Sequence, residues 1–466
     1  MRFFLTCVLL AALGYGGWSW TSADHDEHGH HHGAYTDPWE RPSPQPDRVA
    51  LSWSRDPATS LSVSWRTDTT VTQAVAQVAL ATPAPNLEKV ARTLDATTER
   101  LAPTHVEGEA HVRAHYHAVT FEGLLADTLY AYRVGDGTRW SEWFQARTAS
   151  AEPDPMAFLY FGDAQNAVRT HWSRAIRAAY QEAPEARFVI HAGDLINRAH
   201  RNAEWGEWFV AGGWIHGMLP IVAIPGNHEY ERYTEDEDTN HLSVHWRPQF
   251  ELPRNGPPGL EETVYYLDVQ GVRVIGLNTN ERIEDQADWL ADVLADNPNR
   301  WTVVVCHHPV FSTAGRRDNV DQRAAWKPLL DRYGVDLVLQ GHDHTYARGR
   351  TVNVAAGANL REPVSGTVYV SSVSGPKMYA TKDNRWDDYD DIEMERAAEN
   401  TQLFQVIRVD GDTLSFHAFD VTGQLYDAFD LVKRPNGPNR FLAHPVTTTP
   451  ERTHENTVPA YDRAGF

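Results

Sequence analysis

Cysteine is nearly absent from this 466-residue chain, which contains only Cys7 and Cys306. Because Cys7 lies in an N-terminal segment that we interpret below as an export signal, we expect no disulfide in the mature chain and stability from core packing alone. Basic residues are also few, since 42 Lys and Arg face 63 Asp and Glu, for a formal net charge of −21. This charge argues against a nucleic-acid partner bound through a broad basic face and against a polybasic patch for anionic lipid.

Long hydrophobic runs are absent as well, and the most apolar stretch is short. It covers residues 3–13, follows Arg2 and precedes the small residues Thr21, Ser22 and Ala23. This order is typical of a secretory signal peptide, so we predict a signal over residues 1–23, cleavage near Ala23, and a secreted or periplasmic protein. The alternative is an uncleaved anchor that extends to Trp20, and only then do we expect contact with a membrane.

The next two segments predict a linker and a first folded domain. Residues 24–48 are rich in His and then in Pro, and we interpret the His tract as a solvated spacer rather than a metal-collecting tail. Residues 49–149 alternate in strand-like patterns, for example with Leu61, Val63 and Trp65 on one face. Several short strands over such a length predict an all-β sandwich of fibronectin type III or immunoglobulin type, without a catalytic cluster.

Residues 155–433 change to apolar strands that alternate with amphipathic helices, which predicts an α/β domain. Five short apolar runs suit buried parallel strands, at residues 158–161, 188–192, 221–224, 302–306 and 336–340. Later alternating runs predict antiparallel strands at the end of the domain. The composition of residues 434–466 turns to Pro, Asn, Thr and charge, and we assign no structure to this tail.

Polar residues with ligand chemistry follow each of the five apolar runs at once. The successions are GDAQ at 162–165, GDLIN at 193–197, GNHE at 226–229, HHP at 307–309 and GHDH at 341–344. Ligands of open α/β sheets bind beyond the carboxyl ends of the strands, so we expect these residues to meet at one edge. The candidate metal ligands are Asp163, Asp194, Asn227, His307, His342 and His344.

Mixed carboxylate, amide and imidazole donors of this kind suit Zn, Mn or Fe. The lack of cysteine in the clusters disfavours a closed structural zinc site. One carboxylate can bridge two cations about 3.5–4 Å apart, and such a pair clamps a phosphoryl group and generates hydroxide at neutral pH. We therefore predict two metal ions, of Fe, Zn or Mn.

The five motifs in this order resemble the metallophosphoesterase (calcineurin-like phosphoesterase) superfamily. The sandwich before them and the run GHDHTYAR at 341–348 resemble its purple-acid-phosphatase branch, and the resemblance covers residues 46–432. It implies a catalytic domain in which βαβ units build a β-sandwich flanked by helices. It also implies a secreted acid-phosphatase-like enzyme that hydrolyses phosphate monoesters by attack of a metal-bound hydroxide.

The resemblance further implies a role for each matching residue. Asp163 and His344 would bind the first metal, and Asp194 would bridge both. Asn227, His307 and His342 would bind the second metal. His228 would be the general acid that protonates the leaving alcohol, and His308 would hold a phosphate oxygen.

Two positions depart from the branch. Asn197 stands where purple acid phosphatases carry a metal-bound tyrosine, which puts a ferric ion and a visible colour in doubt. Gln165 stands where the branch usually has Gly and the wider superfamily often has a His ligand. We therefore interpret Gln165 either as a ligand that completes the shell of the first metal or as a turn residue. A tyrosine from another loop, such as Tyr230 or Tyr346, is the alternative source of a phenolate.

Two other functions compete with the phosphomonoesterase. One is a phosphodiesterase on the same metal core, acting on nucleic acid or on lipid headgroups, and the acidic charge weakens the nucleic-acid version. The other is a non-enzymatic exported binding protein, which the intact ligand set opposes. We expect a phosphorylated small molecule as substrate. Loops 230–248 and 312–319 would select it, and Arg316 and Arg317 there either reach an anion or are solvated. Oligomeric state is left open.

Overall fold

The structure is a computed structural model that describes residues 37–315, 317–352, 364–382, 386–435, 437–444 and 450–457. The predicted signal peptide at 1–23, the His tract at 24–33 and Arg316 lie outside the described residues. None of the helices in the described ranges has the length and apolar character needed to cross a membrane.

The N-terminal domain is a β-sandwich, as predicted. Its strands are β1 (Asp47–Ser52), β2 (Ser60–Thr67), β3 (Val75–Leu80), β4 (Arg92–Asp95), β5 (Thr97–Leu101), β6 (Ala114–Glu122), β7 (Leu129–Gly135) and β8 (Phe144–Arg147). Strands in the order β1-β2-β6-β5 form one layer and strands in the order β4-β3-β7-β8 form the other. Leu61, Val63 and Trp65 of β2 are fully buried in the core.

The opposite face of β2 is buried too, which the alternating pattern did not predict. Ser62 and Ser64 point away from the sandwich core and are nevertheless inaccessible. Ser62 bonds to Ser54 and Thr120 of its own domain, whereas Ser64 is covered by the second domain, since its hydroxyl donates to the carbonyl oxygen of Gln249 at 2.5 Å. The two domains therefore share a packed interface rather than a loose linker.

The second domain is built around two mixed sheets. Its strands are β9 (Met156–Phe161), β10 (Val189–His191), β11 (Ile221–Ala223), β12 (Tyr230–Glu231), β13 (His241–Leu242), β14 (Tyr265–Val269), β15 (Val272–Leu277), β16 (Trp301–Cys306), β17 (Leu337–Gln340), β18 (Tyr346–Thr351), β19 (Val364–Ser365), β20 (Val368–Ser371), β21 (Ile392–Ala398), β22 (Leu403–Asp410), β23 (Thr413–Asp420), β24 (Leu425–Val432) and β25 (Asn439–Ala443). Its helices are α1 (Trp172–Glu182), α2 (Asn202–Gly212), α3 (Trp246–Gln249), α4 (Ile283–Ala295), α5 (Val320–Tyr333) and α6 (His454–Thr457).

The five predicted parallel strands are divided between the two sheets, three in one and two in the other. Strands β9, β10 and β11 lie side by side in a twelve-stranded sheet of order β19-β25-β24-β23-β22-β9-β10-β11-β1-β2-β6-β5. Strands β16 and β17 lie in a seven-stranded sheet of order β14-β15-β16-β17-β20-β18-β21. Helices α1 and α2 cover the first sheet, and α4 and α5 cover the second. The predicted α/β domain, a β-sandwich flanked by helices, is confirmed.

Strand β1 of the first domain pairs in parallel with β11 of the second, through Ser52 and Ile221. A single sheet thus runs through both domains and fixes their relative position. Strand β25 lies in the tail to which the sequence analysis assigned no structure, and it pairs with β24 and β19.

Candidate metal centre

The loops after the strands carry four residues in the left-handed backbone region. Asp163, Asp194, His342 and His344 have φ of 34°, 52°, 69° and 50°. Such a conformation costs about 1–3 kcal/mol for a residue with a side chain, so the surrounding structure must impose it. Strain at four of the predicted ligands marks this edge as the functional one.

Close approach of the loops requires the glycine that precedes four of the six predicted ligands, namely Asp163, Asp194, Asn227 and His342. A Cβ on Gly226 would lie 2.2 Å from Asp194 Oδ1, and one on Gly341 would lie 2.3 Å from Asp163 Oδ2. Because neither carboxylate can move without losing its own hydrogen bonds, only glycine fits. The recurrent G of the motifs therefore brings ligand loops from different strands into contact.

Two groups of donor atoms lie at this edge, and they share Asp194. One group is Asp163, Asp194 and His344, and the other is Asp194, His307 and His342. Within each group the ligand atoms lie no more than 4.8 Å apart. Asn227 joins the second group, because its Oδ1 lies 3.1 Å from His307 Nε2 and 2.8 Å from His342 Nδ1.

Two of the imidazoles are oriented by backbone carbonyls. The Nδ1–H of His307 donates to Ala192 O at 2.8 Å, and that of His344 donates to Lys377 O at 2.8 Å. A carbonyl oxygen only accepts, so in the neutral ring Nε2 is left with its lone pair directed into the centre. This is the arrangement that metal-binding histidines use in proteins.

Gln165 lies inside the centre and is fully buried. Its Nε2 donates to Asp194 Oδ2 at 2.6 Å and lies 3.3 Å from His344 Nε2. Its Oε1 has no hydrogen-bond partner, and neither has the buried Oδ1 of Asp163. Buried acceptors without a donor are rare because each costs about 1–3 kcal/mol, so a cation at the first group fits the residues present.

The buried carboxylates of the centre also need a positive charge close to them. Burial alone would lower the pKa of His307, yet the negative charges of Asp194 and Asp163 raise it to about 9. Burial would raise the pKa of Asp194, yet His307 and the hydrogen bond from His228 N hold it below its usual range. The buried carboxylates thus draw a proton onto His307 where a cation would otherwise balance them.

His228 lies beside the second group and is half-buried. Its Nδ1–H donates to the carbonyl oxygen of Asn197 at 2.5 Å, and its backbone N–H donates to Asp194 Oδ1 at 2.9 Å. Asn197, which stands in place of the expected tyrosine, therefore orients His228 through its main-chain carbonyl. The Nε2 of His228 is then available to carry and release a proton.

His308 lies on the other side of the same group. Its ring centroid lies 4.1 Å from that of His342, and its Nδ1 lies 2.6 Å from the hydroxyl oxygen of Thr279. Burial and the charge of His307 lower the pKa of His308 to about 3. Thr279 follows β15, so the end of a sixth strand contributes to the centre. The polar run Asn278 to Asn280 directly after that strand was the sequence signal that could have predicted this contribution.

Glu229 and Asp343 are further members of the centre that sequence reasoning passed over. Each was visible within a motif, GNHE or GHDH, but was not assigned a role. Glu229 is fully buried and accepts from the backbone N–H groups of Asp194, Leu195 and Gly226 at 2.8, 2.8 and 2.6 Å. It thereby fastens the second motif loop to the third.

Tyr230 and Tyr346, the alternative sources of a phenolate ligand, form hydrogen bonds with carboxylates outside the metal centre. The Tyr230 hydroxyl donates to Glu281 Oε1 at 2.6 Å, and that of Tyr346 donates to Asp427 Oδ2 at 2.7 Å.

A cavity of about 390 Å³ lies at the junction of the two domains, between residues 106–109, 198–201 and 230–235. None of the nine predicted site residues lines it, but it flanks the loop that follows His228.

Comparison with known proteins agrees with this architecture. Residues 156–346 match the calcineurin-like phosphoesterase family, and residues 46–148 match the purple acid phosphatase N-terminal domain. An uncharacterized protein of Mycobacterium tuberculosis is 28% identical over 353 residues, which are 67% of this chain and 64% of that protein. Purple acid phosphatase 18 of Arabidopsis thaliana is 27% identical over 273 residues, or 56% and 57% of the two chains. The matched part is thus less than two thirds of either relative.

Among solved structures, a purple acid phosphatase from yellow lupin seeds has a TM-score of 0.69 and 16% identity, over 89% of this chain and 77% of that one. This likeness shows a common fold. With both family matches in the expected order and the five motifs assembled at one edge, the chain carries a calcineurin-like phosphoesterase domain over residues 156–346, preceded by a purple acid phosphatase N-terminal domain over residues 46–148.

Proposed function

We propose that this protein is a two-metal phosphatase that hydrolyses monoesters of small phosphorylated molecules. The observation that carries the proposal is the pair of donor groups that share Asp194. Asp163, His344 and Gln165 Oε1 would hold the first cation, and Asn227, His307 and His342 would hold the second. Two cations so held supply Lewis-acid chemistry, which withdraws charge from the phosphoryl oxygens and makes water acidic enough to act at neutral pH.

The first task of the chain's own residues is to protonate the leaving alcohol. His228 is placed for it, because the Asn197 carbonyl accepts the Nδ1–H, fixes the ring and leaves Nε2 as the nitrogen that can face the substrate. The Nε2–H of that ring then gives its proton to the ester oxygen as the P–O bond breaks. A general acid of this kind accelerates such a step by about 10²–10⁴.

The second task is to hold the phosphoryl group. His308 is fixed by Thr279 at one ring nitrogen, which leaves the other for an oxygen of the phosphoryl group. The hydroxyl of Thr279 receives or donates at Nδ1 according to the ring's protonation, so His308 is able to donate at Nε2 when an anion is bound. Positioned donors of this kind stabilise charge that grows in the transition state.

Activity of chelated and metal-restored protein on p-nitrophenyl phosphate and bis-p-nitrophenyl phosphate tests the proposal. We expect no hydrolysis after chelation, recovery with Zn, Mn or Fe, and preference for the monoester. Preference for the diester would replace the proposal with a phosphodiesterase. Absence of hydrolysis with every metal and both esters would favour an exported binding protein.

Export from the cytoplasm is part of the same proposal and rests on the N-terminal residues alone. Sequencing of the N-terminus of the protein isolated from its source measures it directly. A mature chain that begins after Ala23 is the expected result. A chain that retains residues 1–23 in the membrane fraction would establish the anchored alternative.

A further inference from the structure

Two cationic side chains border the metal centre, on loops outside the five motifs. The guanidinium carbon of Arg317 lies 5.2 Å from the ring centroid of Tyr379, and Lys377 Nζ lies 5.9 Å from the same centroid. The Tyr379 ring in turn lies 4.7 Å from the ring of His344. One aromatic ring therefore separates both cations from a predicted metal ligand.

The loop that carries Arg317 is fastened to the GHDH motif. Asp343 is fully buried, and its Oδ2 accepts from the Ser312 hydroxyl at 2.8 Å and from the Thr313 N–H at 2.6 Å. Arg317 Nη1 donates to the carbonyl oxygen of His342 at 2.5 Å. The guanidinium is thus held at the rim of the centre by one of its five N–H groups, and its side chain is 30% exposed.

The loop that carries Lys377 is fastened to the first and last motifs. The Gly375 N–H donates to Asp163 O at 2.7 Å, and the Tyr379 N–H donates to His344 O at 3.1 Å. The carbonyl of Lys377 itself accepts from His344 Nδ1. Because the backbone on both sides is tied to metal-binding loops, the ammonium group is confined to this rim.

Within the described part of the chain, Lys377 lacks a paired carboxylate, and Arg317 is only partly neutralised. Lys377 Nζ forms no ion pair with any carboxylate among the residues that the structure describes. The carboxylate nearest Arg317 is Asp343 at 3.6 Å, and that group already accepts from Ser312 and Thr313. The charge of Lys377 and the N–H groups of Arg317 that face away from Asp343 are therefore left to act on whatever enters the centre.

We propose that Arg317 and Lys377 bind a second anionic group of the substrate, a phosphate or a carboxylate, while the metal centre receives the phosphate ester. The inference rests on the proposed function and narrows its substrate class to phosphomonoesters with a second anion. Arg317 presents a planar fork suited to an oxyanion, and Lys377 adds a mobile point charge. Tyr379 supplies a face between them against which the carbon chain of the substrate packs.

The test compares substrates that differ only in the second anion. The carboxylate arm is 3-phosphoglycerate against glycerol 3-phosphate, and the phosphate arm is ribulose 1,5-bisphosphate against ribulose 5-phosphate. We expect wild-type kcat/KM to be higher for the two-anion member of at least one pair, and the arm that shows it identifies the anion. Lys377→Gln should lower that ratio about tenfold, mainly through KM.

Lys382→Gln is the matched control, since Lys382 lies on the same stretch of chain but packs against Tyr389; it should keep the wild-type ratio. Arg317→Gln is a second variant, and its thermal unfolding reports whether the loop survives. A wild-type ratio near one in both pairs, or an unchanged ratio in Lys377→Gln, would overturn the inference.

Calorimetric binding of the same four compounds to the metal-loaded protein separates this inference from the proposed function. If the wild type hydrolyses none of them but still binds the two-anion compounds more tightly, the anion site stands and the phosphatase proposal fails. If it hydrolyses the esters without preference in rate or binding, the phosphatase proposal stands and the anion site fails.

Discussion

Replacement of Glu229 by glutamine is expected to loosen the centre without removing any metal ligand. The Oε2 of Glu229 accepts from Asp194 N–H and Gly226 N–H, and its Oε1 accepts from Leu195 N–H. A glutamine has one carbonyl oxygen, so it keeps at most two of these bonds. Its amide N–H₂ then faces the N–H of Leu195, donor against donor, in a fully buried place.

The cost follows from this count. A buried N–H without an acceptor costs about 1–3 kcal/mol, and each remaining bond weakens by about 1 kcal/mol when its acceptor loses its charge. The sum is about 3–5 kcal/mol of unfolding free energy. Burial and the charge of Asp194 raise the pKa of Glu229 to about 7, so the ionised wild type itself loses about 3 kcal/mol by pH 8, and the net loss in the variant at this pH is up to about 2 kcal/mol.

Urea unfolding of the chelated protein at pH 8 measures this loss. We expect a lower midpoint with an unchanged m-value for Glu229→Gln, and no shift for Glu182→Gln, which makes the same chemical change at an exposed position. Metal affinity should fall about 10–100-fold, as it does when groups that support ligands are removed. Equal midpoints and equal metal affinities for both variants would refute a role for Glu229 in joining the loops.

Three more predictions concern the general acid, the metal and the carboxylate of the half-buried Glu204. His228→Ala should slow alkyl phosphates by about 10²–10⁴ and activated aryl phosphates far less, and equal slowing across the series would remove it as the general acid. Iron-loaded protein should show no visible phenolate-to-iron band, because Asn197 replaces the tyrosine; a band lost in Tyr379→Phe would contradict this. Burial raises the pKa of Glu204 to about 7, so wild-type stability should fall by up to about 3 kcal/mol relative to Glu204→Gln as the pH rises from 4.5 to 8. Parallel pH profiles of unfolding free energy for these two proteins would disprove that last prediction.

The candidate centre was largely predictable from sequence because each ligand follows directly on a strand of simple apolar composition. Gly226 and Gly341 indicate tight turns in the sequence, and the residue after each glycine supplies a metal-donor atom. Such information is local, so a single chain reveals it. The α/β architecture and the sandwich before it were readable for the same reason, since periodicity is also local.

What sequence did not reveal depends on contacts between distant segments. The division of the parallel strands into two sheets, the pairing of β1 with β11 and the burial of Ser64 are set by long-range packing. The role of Glu229 depends on the direction of three backbone N–H groups, which no motif encodes. Lys377 lies in no motif at all, and it is brought to the centre by its carbonyl's bond to His344 and by the backbone bonds of Gly375 and Tyr379 to the same loops.

In the proposed centre, one carboxylate, that of Asp194, serves two cations. Calorimetric titration of chelated protein with Zn or Mn, checked by elemental analysis, measures the number bound per chain. We expect two for the wild type, two for the exposed control Asp410→Asn, and at most one weakly bound cation for Asp194→Asn, with hydrolysis lost. A single cation in the wild type, or two cations of unchanged affinity in Asp194→Asn, would contradict it.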